Sequence, residues 1–584
     1  MTQQESTQIA TQVIGKKIHL GNSNFAEIIR KDGLYADKSL LIKEIIEDPS
    51  KSVLIVRPRR WGKTLNMSML HHFFAAEAYY EKTAGLFDRL LISQVDDGKY
   101  MQHQGKYPVI YLTFKDVKDA SLADAIENLG NLINALYREH YYLKSSPCIL
   151  EVDKITFDKY ASAQTDVANI GNSLKFLSKL LHLHHKQKVY ILIDEYDTPL
   201  NFAYNKPHFT ALVDLMKNLL SGGLKDNPSL EKGIMTGIMR ISKDSMLSGL
   251  NNLKVYTVLR KEYREHFGFT SHELDLLFKN QGLERDEAAV QAWYNGYLIG
   301  GLTIYNPWSI LSCLGEKGSI EAYWVNTASE TLLKSTMQNA NPKIKEQLQK
   351  LMLGESIEAT VTDSVRFDEL TSNTEAIWGV LLYTGYLTAS GYRPTANGAN
   401  YKCTLLIPNK EIRGLYNGSF IEWLGDDTLS NERMIGSIAG HLVQGEIEKF
   451  AVEIKKLLLA VASHRDYANQ PEAFYHGFML ALTAVLLDDY YIHSNRESGL
   501  GYPDLMLIPK EKSDSPPRAV ILEFKHVKPA EDAKKVAAAA LEQINVKHYA
   551  ASIQQHSYIK EIMKVGLAFD GKNVEYVHGV DVVE

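Results

Sequence analysis

Two groups of residues in this 584-residue chain have the types and spacing that phosphate chemistry needs. The first is the run from Val53 to Thr64, V-L-I-V-R-P-R-R-W-G-K-T, where a β-branched apolar stretch breaks into a basic loop ending Gly-Lys-Thr. A strand that stops at a tight turn and opens a helix presents backbone N–H groups and a helix N-terminus to an anion. In the pattern G-x-x-x-x-G-K-[ST] the lysine reaches the β- and γ-phosphates and the hydroxyl holds Mg²⁺. Those roles fall here to Lys63 and Thr64, in a loop that also carries Arg59, Arg60, Trp61 and Gly62, with Arg57 standing where the first glycine belongs. A lone Gly-Lys-Thr turn is weak, so an acidic partner strand is required. Residues 189–195, V-Y-I-L-I-D-E, supply one: Asp194 is expected to hold Mg²⁺ through its water and Glu195 to polarise the water attacking the γ-phosphate. The bland alternative is a buried strand closing on the acidic turn Tyr196-Asp197-Thr198-Pro199.

The second group lies near the C-terminus. Asp504 enters an apolar strand, and after a polar loop the run A-V-I-L-E-F-K at 519–525 places Glu523 and Lys525 on one face, because strand side chains repeat every second residue. Asp504 and Glu523 are expected to hold Mg²⁺, with Lys525 positioning or activating the attacking water or stabilising charge developing on phosphorus. Two amphipathic strands with an exposed Glu-Lys pair would look similar. That reading is weakened by Val520, Ile521, Leu522 and Phe524, which imply a mostly buried strand where charge is costly. Glu472, opening an apolar helix upstream, is a further candidate metal ligand. Gln543, six residues before Tyr549, could hold a phosphate or a water, or be an ordinary helix-surface residue.

These residues need elements to hold them. Apolar runs at 109–114, 189–193, 234–239 and 255–259 read as strands beside 53–56, separated by helical segments, which predicts a parallel α/β sheet. A helix is expected from Leu65 to Phe74. In additional-strand ATPases the strand after the acidic one ends in a polar sensor of the γ-phosphate; Thr236 occupies that place, and Arg240 is a candidate for stabilising transition-state charge, both with a structural turn role as the alternative. Tyr35, Asp37 and Lys38 precede the loop and either line the base and ribose or form a solvated turn before a helix. Aromatics crowd 262–325, as in W-Y-N-G-Y at 293–297 and Y-N-P-W at 305–308; packing anchors of a lid are preferred over a base-stacking surface.

Composition narrows the class. With 45% hydrophobic and 23% charged residues the chain is globular, not fibrous or disordered. Cys148, Cys313 and Cys403 are far apart and form no CxxC, which argues against a disulfide framework or a zinc site and for the cytoplasm. The N-terminus M-T-Q-Q-E-S-T-Q has no secretory character, and the longest apolar stretch, 473–487, is interrupted by His476 and too short for a bilayer, so no membrane association is expected. A net charge of −6 gives no general attraction to nucleic acid, and residues 431–584 hold 17 Lys and Arg against 21 Asp and Glu.

The sequence P-D at 503–504 with E-F-K at 523–525 resembles the PD-(D/E)XK nuclease superfamily, and with R-P-R-R-W-G-K-T upstream the whole chain resembles prokaryotic AAA-ATPase-like proteins fused to such a domain. Relatives of that kind similarly tend to lack the first glycine, and commonly carry Arg where Tyr502 stands here. The resemblance implies a P-loop NTPase parallel sheet of the α/β class with a helical lid and Walker A and B motifs, plus a C-terminal restriction-endonuclease-like α/β domain. The expected division is a polar lead-in at 1–24, an ATPase core at 25–260, a lid at 261–345, a connector at 346–429 ending near Gly425 to Asn431, and the nuclease-like domain at 430–584. It further implies ATP and Mg²⁺ as cofactors, and nucleic acid, DNA ahead of RNA, as partner, with a homo-oligomer or protein partner left open. The expected function is an ATPase joined to a Mg²⁺-dependent nuclease; the alternative is a nucleotide-switched scaffold whose nuclease fold does not cleave.

Overall fold

Val53 to Val56 are buried without exception, as a strand covered on both faces must be, and the strand they belong to, Ser52–Val56, lies inside a five-stranded sheet. The order across it is Val109–Thr113, Val189–Asp194, Leu230–Gly237, Ser52–Val56 and Leu253–Tyr256, and every neighbouring pair is parallel. The strand ending in Thr236 and Gly237 therefore stands between the phosphate-loop strand and the Asp194 strand, the additional-strand arrangement. The computed structural model describes residues 11–583 apart from 163–166, 205, 242–249, 251, 325–341, 363–375, 397–399, 417–431, 462–470, 495–496 and 512–516. It forms two units, Met1–Ala328 with Glu358–Asn409, and Ser329–Ile357 with Lys410–Glu584.

In the first unit the helix Lys63–Phe74 follows the loop and is buried from Asn66 through Phe74. Phe74 stacks on Tyr190 of the acidic strand at 3.9 Å and Phe73 meets Phe87 edge-on at 5.0 Å, so the helix is clamped to the sheet by aromatic packing. The strand read at 234–239 begins four residues earlier and stops at Gly237, because the next two N–H groups, of Ile238 and Met239, donate to the Asp197 carboxylate instead of to a ladder. Likewise the strand read at 255–259 occupies Leu253–Tyr256. Val13–Ile14, inside the stretch read as a polar lead-in, pairs antiparallel with Tyr35–Ala36. Helices Ser271–Gln281, Glu287–Tyr294 and Pro307–Gly315 pack with Leu34 and Ala36 in a second apolar cluster, to which Phe269, Tyr294 and Tyr305 contribute. Of the aromatics of this region Phe267, Tyr294, Tyr297, Tyr305 and Trp324 are buried anchors, whereas Trp293, Trp308 and Tyr323 are partly buried. The stretch read as a connector divides: its 358–409 part belongs to the first unit, with a three-stranded sheet of Ile357–Thr362, Asn400–Leu406 and Thr388–Pro394, and from Lys410 the chain belongs to the second. The expected boundary at 425–431 lies outside the described residues.

The second unit carries helix Pro471–Thr483, strands Tyr490–Ser494, Leu505–Pro509 and Arg518–His526, helix Ala533–Val546, and strands Glu561–Asp570 and Asn573–Val582. The five strands form one sheet in that order, antiparallel except for Arg518–His526 with Glu561–Asp570, whose parallel pairing is bridged by the helix between them. Glu523 sits opposite Gly566 in this pairing. A Cβ on Gly566 would lie 2.2 Å from the Ala537 carbonyl oxygen and 2.5 Å from the Leu541 nitrogen, so only glycine lets the helix lie this close to the sheet. Gly566→Ala is expected to cost about 1–3 kcal/mol, the usual range for overpacking, read as a lowered thermal midpoint of the second unit in the full chain. An unchanged midpoint would show that the helix has room to retreat.

Candidate functional site

The Gly-Lys-Thr loop is shaped by two left-handed residues, Arg60 (φ 66°) and Gly62 (φ 73°), immediately before helix Lys63–Phe74. Such a turn brings successive N–H groups toward one point at a helix N-terminus. Lys63 is buried and folds back over the loop, its Nζ donating to the carbonyls of Arg57 at 3.1 Å and Pro58 at 2.7 Å. Burial lowers its pKa, and the nearby carboxylates of Glu195, Asp194 and Asp197 oppose that shift. The Thr64 hydroxyl donates to Asp194 Oδ2 at 2.7 Å and the Thr236 hydroxyl to Asp194 Oδ1 at 2.5 Å. Loop, acidic strand and the strand ending in Thr236 and Gly237 thus converge on one carboxylate that has no exposure at all. A hydroxyl beside an aspartate is an all-oxygen pair suited to Mg²⁺. Glu195 follows in the left-handed region (φ 52°), strained for a residue with a side chain, and accepts a hydrogen bond from Thr198 Oγ1 at 3.1 Å.

Arg57, in the place of the first glycine, does not enter the cradle. Its fully buried guanidinium donates to the carbonyls of Val56 (2.8 Å), Tyr256 (3.1 Å) and Glu262 (3.4 Å) and lies over the Phe267 ring, and burial pushes its pKa down to about 9. Arg59 is exposed, Arg60 stacks over Trp308, and Trp61 is buried edge-on against Tyr297. Arg240 lines a cavity of about 280 Å³ with Lys254, Tyr256, Arg260 and Glu262.

Tyr35, Asp37 and Lys38 form neither a solvated turn nor an open wall for a base. Asp37 caps the N–H groups of Ser39 and Leu91, Tyr35 donates to Met69 Sδ, and Lys38 is paired with Glu273 at 2.5 Å in a nearly dry setting. Sequence reasoning missed Asp197, whose burial raises its pKa and whose Oδ2 ends the sensor strand; its place in the Asp-Glu-Tyr-Asp turn was the available signal.

In the second unit Asp504, Glu523, Lys525 and Gln543 come together. Asp504 Oδ2 accepts the Phe524 N–H at 2.7 Å, which pins it to the strand bearing Glu523. Glu523 is only 3% exposed; its Oε1 accepts from Lys525 Nζ at 3.2 Å and from Gln543 Nε2, which also reaches the Tyr549 hydroxyl at 3.3 Å. Its Oε2 is buried with no hydrogen-bond partner. Burial first, and the Asp504 charge second, push the Glu523 carboxyl up to about 7, against the pull of Lys525. An orphaned carboxylate oxygen beside a second carboxylate is the environment a divalent cation relieves. Among the described residues no three His, Cys, Asp or Glu side chains converge in this way, so the carboxylates stand as a pair. Glu472 is in the first turn of helix Pro471–Thr483 and its side chain lies outside the described residues. Tyr502 is 58% exposed beside the site. His476, given no role from sequence, places Nε2 3.3 Å from the Asp504 carbonyl and 3.0 Å from Ser494 Oγ, tying the helix to the Asp504 turn.

Residues 19–247 match the family model described as predicted AAA-ATPase, and residues 470–579 match that of the PD-(D/E)XK nuclease superfamily. The chain is 25% identical over 467 residues to an uncharacterized protein in the vnfD 5′ region of Azotobacter chroococcum mcd 1, covering 79% of this chain and 81% of that one. No solved structure matches it. Among the described residues no helix is long and apolar enough to cross a membrane. The chain therefore joins an AAA-ATPase-like domain to a C-terminal domain of the PD-(D/E)XK nuclease superfamily.

Proposed function

We propose that this protein binds and hydrolyses ATP at the loop around Lys63 and cuts nucleic acid, with Mg²⁺, at Asp504 and Glu523. The observation that carries the nuclease reading is the Oε2 of Glu523, buried without a partner next to a second carboxylate and an ammonium group. A bound Mg²⁺ supplies Lewis acidity toward the phosphodiester. The chain's own contribution is positional: the Phe524 N–H fixes Asp504, Gln543 fixes Glu523, and Lys525 stands on the same strand face to orient the attacking water and offset charge on the phosphate. Glu472 is assigned as an additional ligand from its place in the first turn of helix Pro471–Thr483.

At the other centre Lys63 offsets phosphate charge, Thr64 and Asp194 are the metal-side oxygens, Thr236 positions Asp194, and Glu195 orients the attacking water. Arg59, Arg60, Trp61 and Gly62 shape the loop, and Arg240, facing its own cavity, is left out of this assignment. With a net −4 over residues 431–584, nucleotide state rather than intrinsic affinity is the means by which substrate reaches the metal.

Lys63→Ala is expected to lose ATP binding in calorimetry, whereas Glu195→Gln binds and does not turn over; equal affinity of Lys63→Ala and wild type would sink the site. Asp504→Ala is expected to lose cleavage of every DNA or RNA that wild type cuts, in a panel run with and without ATP, while the fold survives. A variant that still cuts would place the active site elsewhere, and a wild type indifferent to ATP would uncouple the domains. Glu523 supplies a pH test. Its folded pKa of about 7 exceeds the ordinary 4.5, so its metal-free contribution to stability is full below about 4.5 and lost as pH rises through 7. Glu523→Gln should remove that slope and stabilise the metal-free protein at pH 8 by on the order of 1–3 kcal/mol. Parallel pH profiles of variant and wild type would contradict the buried carboxyl.

A further inference from the structure

Just before Asp504 the chain makes a tight turn over residues 498–501, closed by the Ser498 N–H on the Gly501 carbonyl at 2.8 Å. The turn is fastened to the end of helix Ala533–Val546: the buried Ser498 hydroxyl donates to the Tyr549 carbonyl at 2.7 Å, and the Leu500 N–H to the Lys547 carbonyl at 2.7 Å. Gly499 is left-handed (φ 60°), and a Cβ on it would lie 2.3 Å from both the Lys547 and the His548 carbonyl oxygens, so the two backbones touch. Gly501 lies against the Tyr549 hydroxyl, which accepts from the same Gln543 amide that holds Glu523. A pinned piece of backbone therefore stands at the edge of the carboxylate pair. What it presents to solvent is apolar: Leu500 is 69% exposed and Tyr502 58%, and Val546, beside the Lys547 that holds Leu500, is exposed as well. One exposed leucine means little, but a leucine and a tyrosine held out on fixed backbone within four residues of Asp504 are placed where a substrate strand must pass.

We propose that Leu500 and Tyr502 form a ledge on which an unpaired nucleobase of the substrate strand stacks, so that the second unit acts on single-stranded nucleic acid or on frayed and flap ends, and not on intact duplex. The inference rests on the nuclease reading above. In a duplex each base face is covered by its neighbours and the grooves show only polar edges, so a ring standing up from the protein finds a face only where a base is unpaired. Charge favours the same substrate. Around the ledge the exposed Lys547 and half-exposed Lys525 are set against the exposed Glu497 and Glu542, and residues 431–584 carry a net −4, so phosphate neutralisation, the main source of duplex affinity, is weak here. Stacking on an aromatic ring needs no net charge and works with any base. A tyrosine also loses little conformational freedom on contact, and Tyr502 is further restricted by the buried Pro503 that follows it.

The test uses the full chain with ATP and a fluorescent oligonucleotide, either single-stranded or annealed as a blunt duplex, with binding read by anisotropy in Ca²⁺ and cleavage in Mg²⁺. Wild type is expected to prefer the single strand by about tenfold or more in Kd and KM. Tyr502→Ala and Leu500→Ala should each weaken the single strand by about tenfold, the loss of one stacked base, with kcat within about twofold because the carboxylates are untouched, whereas Tyr502→Phe keeps the aromatic face and the affinity. The loss should hold its size between about 50 and 200 mM salt, unlike that of a phosphate contact. An abasic residue walked along the strand should reach one position that weakens wild type by the same factor and leaves Tyr502→Ala indifferent. Blunt duplex cut as well as single strand, an oligonucleotide Kd unchanged in both alanine variants (the outcome if the ledge seats a protein instead), or Tyr502→Phe losing as much as Tyr502→Ala would overturn the ledge and leave the nuclease reading standing. A wild type that binds and cuts neither substrate would overturn both.

Discussion

A carboxylate with no solvent must have its oxygens met by donors, and Asp194 meets that condition with two hydroxyls from two other elements. Thr64 can reach it only if the helix begins at Lys63, and Thr236 only if its strand runs between those of Val56 and Asp194. The strand order, the left-handed turn at Gly62 and the buried face of the helix therefore answer to a single three-residue contact. Where that contact stops, so does the ladder: the next carboxylate in the turn, Asp197, takes the N–H groups of Ile238 and Met239 and ends the sensor strand.

The second unit applies the same constraint and leaves it incomplete. Asp504 is held by a backbone N–H and one oxygen of Glu523 by Lys525 and Gln543, yet the other oxygen has nothing. Structural carboxylates rarely keep such an atom, because the desolvation cost is not recovered. The close approach permitted by Gly566 makes the point sharper, since the helix that delivers Gln543 to Oε1 lies as near to the sheet as backbone allows and still adds no donor to Oε2.

Local chemistry was legible in the sequence and distant partnership was not. The Gly-Lys-Thr loop, the acidic strand and the Glu523/Lys525 alternation could be read because each lies within a few residues, where strand period and turn geometry are strong. Tyr35, Asp37 and Lys38 looked like an exposed turn because the groups that bury them, Met69, Leu91 and Glu273, lie far along the chain. Arg57 looked like damage to the phosphate loop for the same reason: the carbonyls of Tyr256 and Glu262 that absorb its guanidinium cannot be seen from the loop itself. His476 showed in the sequence only as a break in an apolar stretch, because its tie to the Asp504 carbonyl depends on a strand and loop folding back over its helix.

The Arg57 substitution also bears on how the loop tolerates losing a glycine. The first glycine of such loops serves a backbone that must turn without a Cβ in the way, and here that need is met three and five residues later, by the left-handed Arg60 and Gly62. A side chain at 57 is then harmless provided it leaves the cradle, and a buried arginine leaves only if its donors find acceptors elsewhere. Three carbonyls take up its Nη groups and the face of Phe267 covers its plane, while Nε is buried without a hydrogen-bond partner. The same guanidinium stitches the phosphate-loop strand to the edge strand at Tyr256 and to the chain entering the helical region at Glu262. What looks like a missing glycine is thus a brace between the strand before the loop, the edge strand and the start of the helical region.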